Sequence, residues 1–201
     1  MAASAQSGSL QALEELVRRY QVPLLRFLRR GPCPREAEDV LQETWLRAMR
    51  SLDRYRLGKP FKPWIFTVCY RLAVDASRKR PPAASLDENN CPNASPAPDP
   101  TARLERAEWA ERFWLTVRRE LGDACFTVAW LHYGESLPPR EVASVLGRSQ
   151  VWVRTMLYRS RKRLARVFEN APSAPVNPGD KQRGRSYDLL KLEPCEKGMR
   201  R

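Results

Sequence analysis

The sequence predicts an all-α protein in which two small helical domains are joined by a proline-rich linker. Three observations predict it. Apolar residues recur at three- and four-residue steps on both sides of the chain's middle, the spacing that lines one face of a helix. Six prolines fall within residues 81–100, where missing N–H donors and fixed φ angles exclude helix and sheet alike. No stretch alternates apolar and polar residues between turn signals, so strands are not expected.

Taken in order, residues 10–30 place Leu10, Leu13, Val17, Leu24 and Leu28 near one face, with Pro23 expected as a kink or register break. Residues 35–52 follow with Ala37, Val40, Leu41, Thr44, Trp45, Ala48 and Leu52. A third helix starts near Pro63, a residue suited to a first turn, and stops before Pro81. Its buried stripe is Ile65, Val68, Cys69, Leu72 and Ala76. Further helices are expected at 103–121, 123–133, 138–146 and 149–169. Residues 170–201 hold Pro172, Pro175 and Pro178 before a basic run, and read as a disordered basic tail. The division is therefore a first domain at 1–80, a flexible linker at 81–102, a second domain at 103–169 and the tail.

Thirty-six Lys and Arg against 23 Asp and Glu leave a net charge of +13, with a pI near 10.1. Such a surplus implies a polyanionic partner. The charge is uneven: +8 over residues 1–80, −2 over 81–121, +4 over 122–169 and +3 over 170–201. No run approaches the roughly 18 apolar residues of a membrane span, so no membrane insertion is expected. Met1–Leu10 is small and polar, unlike a signal peptide. The five cysteines (33, 69, 91, 125 and 195) are scattered without a C-x-x-C pair, which favours reduced thiols and a cytoplasmic location. With a single histidine, His132, and no nucleophile–base or ligand set, neither an enzyme, a metal site nor a cofactor is expected.

The sharpest local motif lies in Pro139–Tyr158. A helix-turn-helix needs a small residue where its helices cross, a Gly to turn, and a β-branched residue that packs the second helix back. Ala143, Gly147 and Val153 supply these at spacings of four and six. Ser149 can cap the second helix, with Gln150 and Trp152 at its N-terminal end. Arg154, Thr155, Tyr158, Arg161 and Lys162 are expected to point outward, with Arg159 in the same basic run. Recognition helices read bases with their first residues and hold phosphates with flanking cations.

Two features of the first domain go beyond a simple DNA-binding module. Asp39, Gln42 and Glu43 cluster at i, i+3 and i+4 on the polar side of helix 35–52, and Arg47 can pair with Glu43. Helix 63–80 carries a second stripe of Trp64, Thr67, Arg71, Asp75 and Arg78, with Lys79 alongside and Arg54, Tyr55, Phe61 and Lys62 just upstream. Rings interleaved with cations suit single-stranded nucleic acid, although a domain this small must bury some of those rings as core.

The run Ala37–Trp45, followed by Leu52-Asp53-Arg54-Tyr55 and by Lys59–Phe66, resembles region 2 of extracytoplasmic-function (ECF) sigma factors. Leu137–Leu164 resembles their region 4. The resemblance covers about 10–80 and 103–168, in order, with a linker where the family has one. It implies docking on core RNA polymerase (β′ and β subunits), with a β′ coiled coil meeting Asp39, Gln42 and Glu43 and their neighbours Trp45 and Arg47. It implies −10 promoter recognition and melting by Arg54, Tyr55, Phe61, Lys62, Trp64, Thr67, Arg71, Asp75, Arg78 and Lys79. It implies reading of the −35 duplex by Ser149, Gln150, Trp152, Arg154, Thr155, Tyr158, Arg159, Arg161 and Lys162, and an anti-sigma factor as a further partner. Arg71 stands where the family commonly has Asn, and Trp152 where a small residue is usual. The alternative is a stand-alone helix-turn-helix transcriptional regulator with an N-terminal dimerisation domain.

Overall fold

Each segment with the helical apolar spacing is helical in the computed structural model, which describes residues 1–31, 33–79, 110 and 112–169. The expected linker (81–102), tail (170–201) and the first residues of helix 103–121 lie outside the described residues, as do Cys91 and Cys195. Among the described residues there is no strand.

A short helix that the sequence did not announce, α1 (Ala2–Gln6), opens the chain. The Gln6 side-chain amide donates to the carbonyls of Leu52, Asp53 and Tyr55 at 3.1, 3.0 and 3.2 Å, tying down a distant turn. The next helix, α2 (Leu10–Arg30), is capped by Ser9, whose hydroxyl accepts from the Ala12 N–H at 3.3 Å. It runs through Pro23 without the break expected there. An interior proline costs about 3 kcal/mol. Leu24, Phe27 and Leu28, all 0% exposed, follow within the next five residues. Each contributes about 1.5–3 kcal/mol by burial, which outweighs the lost bond. The buried face is thus rotated towards the helix end, and Leu10, expected on it, is 73% exposed. The helix ends at Gly31, in a backbone conformation that needs glycine, since a Cβ there would lie 2.3 Å from the Phe27 carbonyl oxygen.

Helix α3 (Ala37–Ser51) buries Ala37, Val40, Thr44, Trp45 and Ala48. The Thr44 hydroxyl donates to the Val40 carbonyl at 2.6 Å, so its polar group is satisfied in the core. A 3-10 turn (Leu52–Arg54) leads to α4 (Phe61–Lys79), which starts two residues before Pro63. Ile65, Cys69 and Leu72 are buried as the spacing predicts, whereas Val68 and Ala76 are only half-buried. Phe61, Phe66 and Ala73 are buried as well, because α4 is packed on two sides, against α3 and against the later helix Pro139–Leu146.

The second half comprises α5 (112–120), α6 (Asp123–Ala129), α7 (Pro139–Leu146) and α8 (Gln150–Glu169). The helix expected over 123–133 changes at its end to a wider π-type turn, Trp130–Gly134. Trp114, Phe126 and Trp130 pack together there, the two indoles with centroids 4.5 Å apart. Gly147 joins α7 to α8 in the left-handed region at φ +61°. Ala143 and Val153 are both buried, as a close helix-turn-helix crossing requires. Buried side chains of the two halves form one connected core.

Candidate docking and nucleic-acid surfaces

Helices α3 and α4 leave a groove of about 640 Å³ between them. One wall carries Glu36, Asp39, Glu43 and Arg47; the other carries Asp75 and Arg78, over a floor of Val40, Leu72 and Ala76. The Arg47 guanidinium donates to Glu43 at 3.1 Å, an exposed i,i+4 pair worth a few tenths of a kcal/mol. Asp39 and Gln42 are exposed, and so, at 43% each, are Leu46 and Met49 on the next turns of α3. Nearby, the Arg29 guanidinium donates to Glu38 and holds its carboxyl below the usual range. Trp45 keeps its expected place in the apolar stripe and does not reach the docking face that the resemblance implies for it. It is 9% exposed and forms part of the core, because it lies on the Val40–Thr44–Ala48 side of the helix.

Asp75 and Arg78 were expected with the −10 stripe, yet they face the same groove as Asp39 and Glu43. Arg54 and Arg71 are exposed, and Thr67 is half-buried, its hydroxyl donating to the Pro63 carbonyl at 2.7 Å. Lys79 ends α4, and its side chain lies outside the described residues. The interleaved rings are mostly core. Tyr55 and Phe61 are buried, and Tyr20, Tyr55, Phe61 and Trp64 form a cluster with centroids 5.2–5.6 Å apart. The Tyr55 hydroxyl donates to the Lys59 carbonyl, which braces the loop before α4, and burial raises its pKa. Trp64 and Tyr20 keep partial exposure. Lys62 is not free: its ammonium meets the Glu135 carboxylate at 2.8 Å.

On α8 the Ser149 hydroxyl accepts from the Trp152 N–H at 3.2 Å, capping the helix as its residue type predicts. Gln150, Arg154, Thr155, Tyr158, Arg159 and Lys162 are exposed. Trp152 is half-buried, with the Arg148 guanidinium 5.6 Å from its ring centroid. Arg161 departs from its expected outward direction. It is half-buried with its Nε inside the protein, close to Tyr133, whose phenol burial raises and the Arg161 charge lowers. Val151 was not singled out by sequence and is 73% exposed at the start of α8. The Thr155 hydroxyl donates to the Val151 carbonyl at 3.0 Å, turning the hydroxyl back to the helix.

The family described as Sigma-70 region 2 matches residues 16–81, which take in α3, the groove and α4. RNA polymerase sigma factor CnrH of Cupriavidus metallidurans is 30% identical over 182 residues, covering 84% of this chain and 93% of CnrH. The chain belongs to the ECF-type RNA polymerase sigma factors. ECF RNA polymerase sigma factor SigM of Bacillus subtilis is 25% identical over 159 residues, covering 78% of this chain and 94% of SigM. The structure of CnrH in complex with the cytosolic domain of CnrY matches with a TM-score of 0.60 at 27% identity, covering 85% of this chain and 96% of that one. Among the described residues of this sigma factor, no helix is long and apolar enough to cross a membrane, and no three His, Cys, Asp or Glu side chains gather as metal ligands.

Proposed function

We propose that this sigma factor docks on core RNA polymerase through α3 and the α3–α4 groove, and directs initiation at promoters with −10 and −35 elements. The groove carries the proposal. An acidic–amide stripe on one helix has little meaning alone, but here Asp39 and Glu43 line a concave surface closed by Asp75 and Arg78 and flanked by Leu46 and Met49. Apolar centres with a charged rim are what a protein partner needs. The β′ coiled coil that the family resemblance implies would meet that charge with cations of its own. Asp75 and Arg78 are assigned to docking, and Trp45 to the support of α3 from within.

For the −10 element the reading keeps Arg54, Lys62, Trp64, Thr67, Arg71 and Lys79, with Tyr55 and Phe61 holding the loop in shape. For the −35 element, Gln150, Trp152, Arg154 and Tyr158 would meet bases, while Arg159 and Lys162 would meet phosphates. Val151, exposed at the start of α8, adds an apolar surface of the kind that contacts thymine methyl groups. By likeness to CnrH, solved with the cytosolic domain of CnrY, a protein partner that restrains the free sigma factor is part of the proposal. The chain would work beside the polymerase in the cytoplasm and perform no chemistry itself. Run-off transcription by core polymerase with the purified chain, on templates selected from a promoter library, tests the whole reading. Specific transcripts that depend on the chain, and fall at −35-dependent promoters with Arg154→Ala, are expected. Absence of chain-dependent transcripts would overturn it.

A further inference from the structure

The loop before α4 is fastened by a residue that lies ahead of the Sigma-70 region 2 match at 16–81. The side-chain nitrogen of Gln6 sits 3.1, 3.0 and 3.2 Å from the carbonyl oxygens of Leu52, Asp53 and Tyr55. An amide nitrogen carries two N–H groups, so two donors are shared among three acceptors. Three carbonyl oxygens that converge on one point repel one another unless a donor stands between them. The backbone that carries Gln6 is itself fixed. Ala5 is buried, the Ser9 N–H donates to the Ser4 carbonyl at 2.9 Å, and Gly8 turns the chain into α2 at φ +92°. The far end of the loop is held as well, since the Tyr55 hydroxyl donates to the Lys59 carbonyl. Within it, the Tyr55 N–H donates to the Leu52 carbonyl at 3.0 Å and the Lys59 N–H to the Arg56 carbonyl at 3.3 Å. The side chains of Asp53, Arg54, Arg56, Leu57 and Lys59 are nevertheless exposed. Here the backbone is clamped while the side chains are presented to a partner.

From this we infer that Gln6 is a positioning residue for −10 recognition: it touches no DNA, and fixes the shape in which the 52–59 loop meets the promoter strand. The brace rests on the hydrogen bonds alone; its consequence for promoter choice rests on the proposed function. Base readout needs contacts held to within a fraction of an ångström, whereas a cation can follow a phosphate in many loop shapes. A loop that samples several shapes binds its matching strand less tightly, in proportion to the fraction in the competent one. Gln6 therefore sets the preference among strands and leaves general affinity for them unchanged.

Hydrogen exchange on the full chain tests the brace without DNA or polymerase. Gln6→Glu puts an acceptor-only carboxylate against three carbonyls, so exchange within 52–59 should quicken at unchanged helicity. Gln6→Lys supplies three N–H groups and should restore slow exchange. Unchanged exchange in a folded Gln6→Glu chain would overturn the brace. If Gln6→Glu loses helicity, Gln6→Ala decides by the same readout. In a second arm, each chain is assembled on core RNA polymerase and given a single-stranded −10 oligonucleotide from the selected promoters, or the same strand with one base changed. Gln6→Glu should bind the matching strand about tenfold less tightly, the loss expected if roughly a tenth of its loops hold the competent shape. Its affinity for the changed strand and for −35 duplex should stay at the wild-type value, and Gln6→Lys should recover the preference. Quickened exchange with an unchanged preference would overturn the positioning role. A wild type without any preference would contradict the −10 assignment instead, and the exchange arm still decides the brace.

Discussion

Gly147 turns the chain between α7 and α8 at φ +61°, and no atom lies within 4 Å of where a Cβ would sit. A substitution there meets strain in the backbone and no clash. Gly147→Ala should lower stability by about 1–2 kcal/mol, the cost of a left-handed residue with a Cβ. Gly147→Asn should cost less, because Asn tolerates that region. Thermal unfolding of the three chains checks the order. Cys33 makes a second prediction. Burial, aided by Glu36, pushes its thiol up to about 12. In the unfolded chain the thiol ionises near pH 8.5, so above that pH the unfolded state gives up a proton that the folded state keeps. Its contribution is full below about pH 8.5 and declines as pH rises towards 12. The melting temperature should therefore fall less between pH 8 and 10 in Cys33→Ala than in the wild type; equal falls would contradict this origin. These are effects that residue type and exposure define at one position.

At the scale of elements, what could be read in advance depended on how local the cause was. The polar face of α3, the Ser149 cap and the Ala143–Gly147–Val153 turn follow from spacing within one or two helices, and periodicity exposes them. The double burial of α4 does not, because its second partner, α7, lies far along the chain and no stripe on α4 names it. Gln6 and Glu135 were missed for the same reason: their contacts span 46 to 49 and 73 residues. Tyr55 and Phe61 were ambiguous, since an aromatic beside a cation reads alike in a core and in a nucleic-acid surface. Pro23 misled because helix breaking is a local cost that burial in the next turn outweighs. Exposed Val151 on α8 gives the prediction that belongs here. Replacing thymine by deoxyuridine in the selected −35 duplex removes one methyl group, worth about 0.8 kcal/mol if buried, or about fourfold in affinity. The loss should appear at one or two thymines with the wild type and vanish with Val151→Ala. An equal loss with both proteins would place those methyls elsewhere.

For the whole molecule, the proposed function gives the −10 and −35 surfaces and the α3–α4 groove different tasks. Of the net charge of +13, +8 falls in residues 1–80 and +4 in 122–169, which suits phosphate contacts from both halves, while the groove between α3 and α4 gathers Glu36, Asp39, Glu43 and Asp75. The central claim is that docking on core RNA polymerase runs through the groove. Size-exclusion chromatography of the purified chain with core RNA polymerase tests it most directly, with Asp39→Arg/Glu43→Arg as the comparison and circular dichroism to verify its helicity. Co-elution of the wild type, lost in a fully helical double variant, is the predicted result. Co-elution that survives the reversal, or a folded wild type that never co-elutes, would contradict the account.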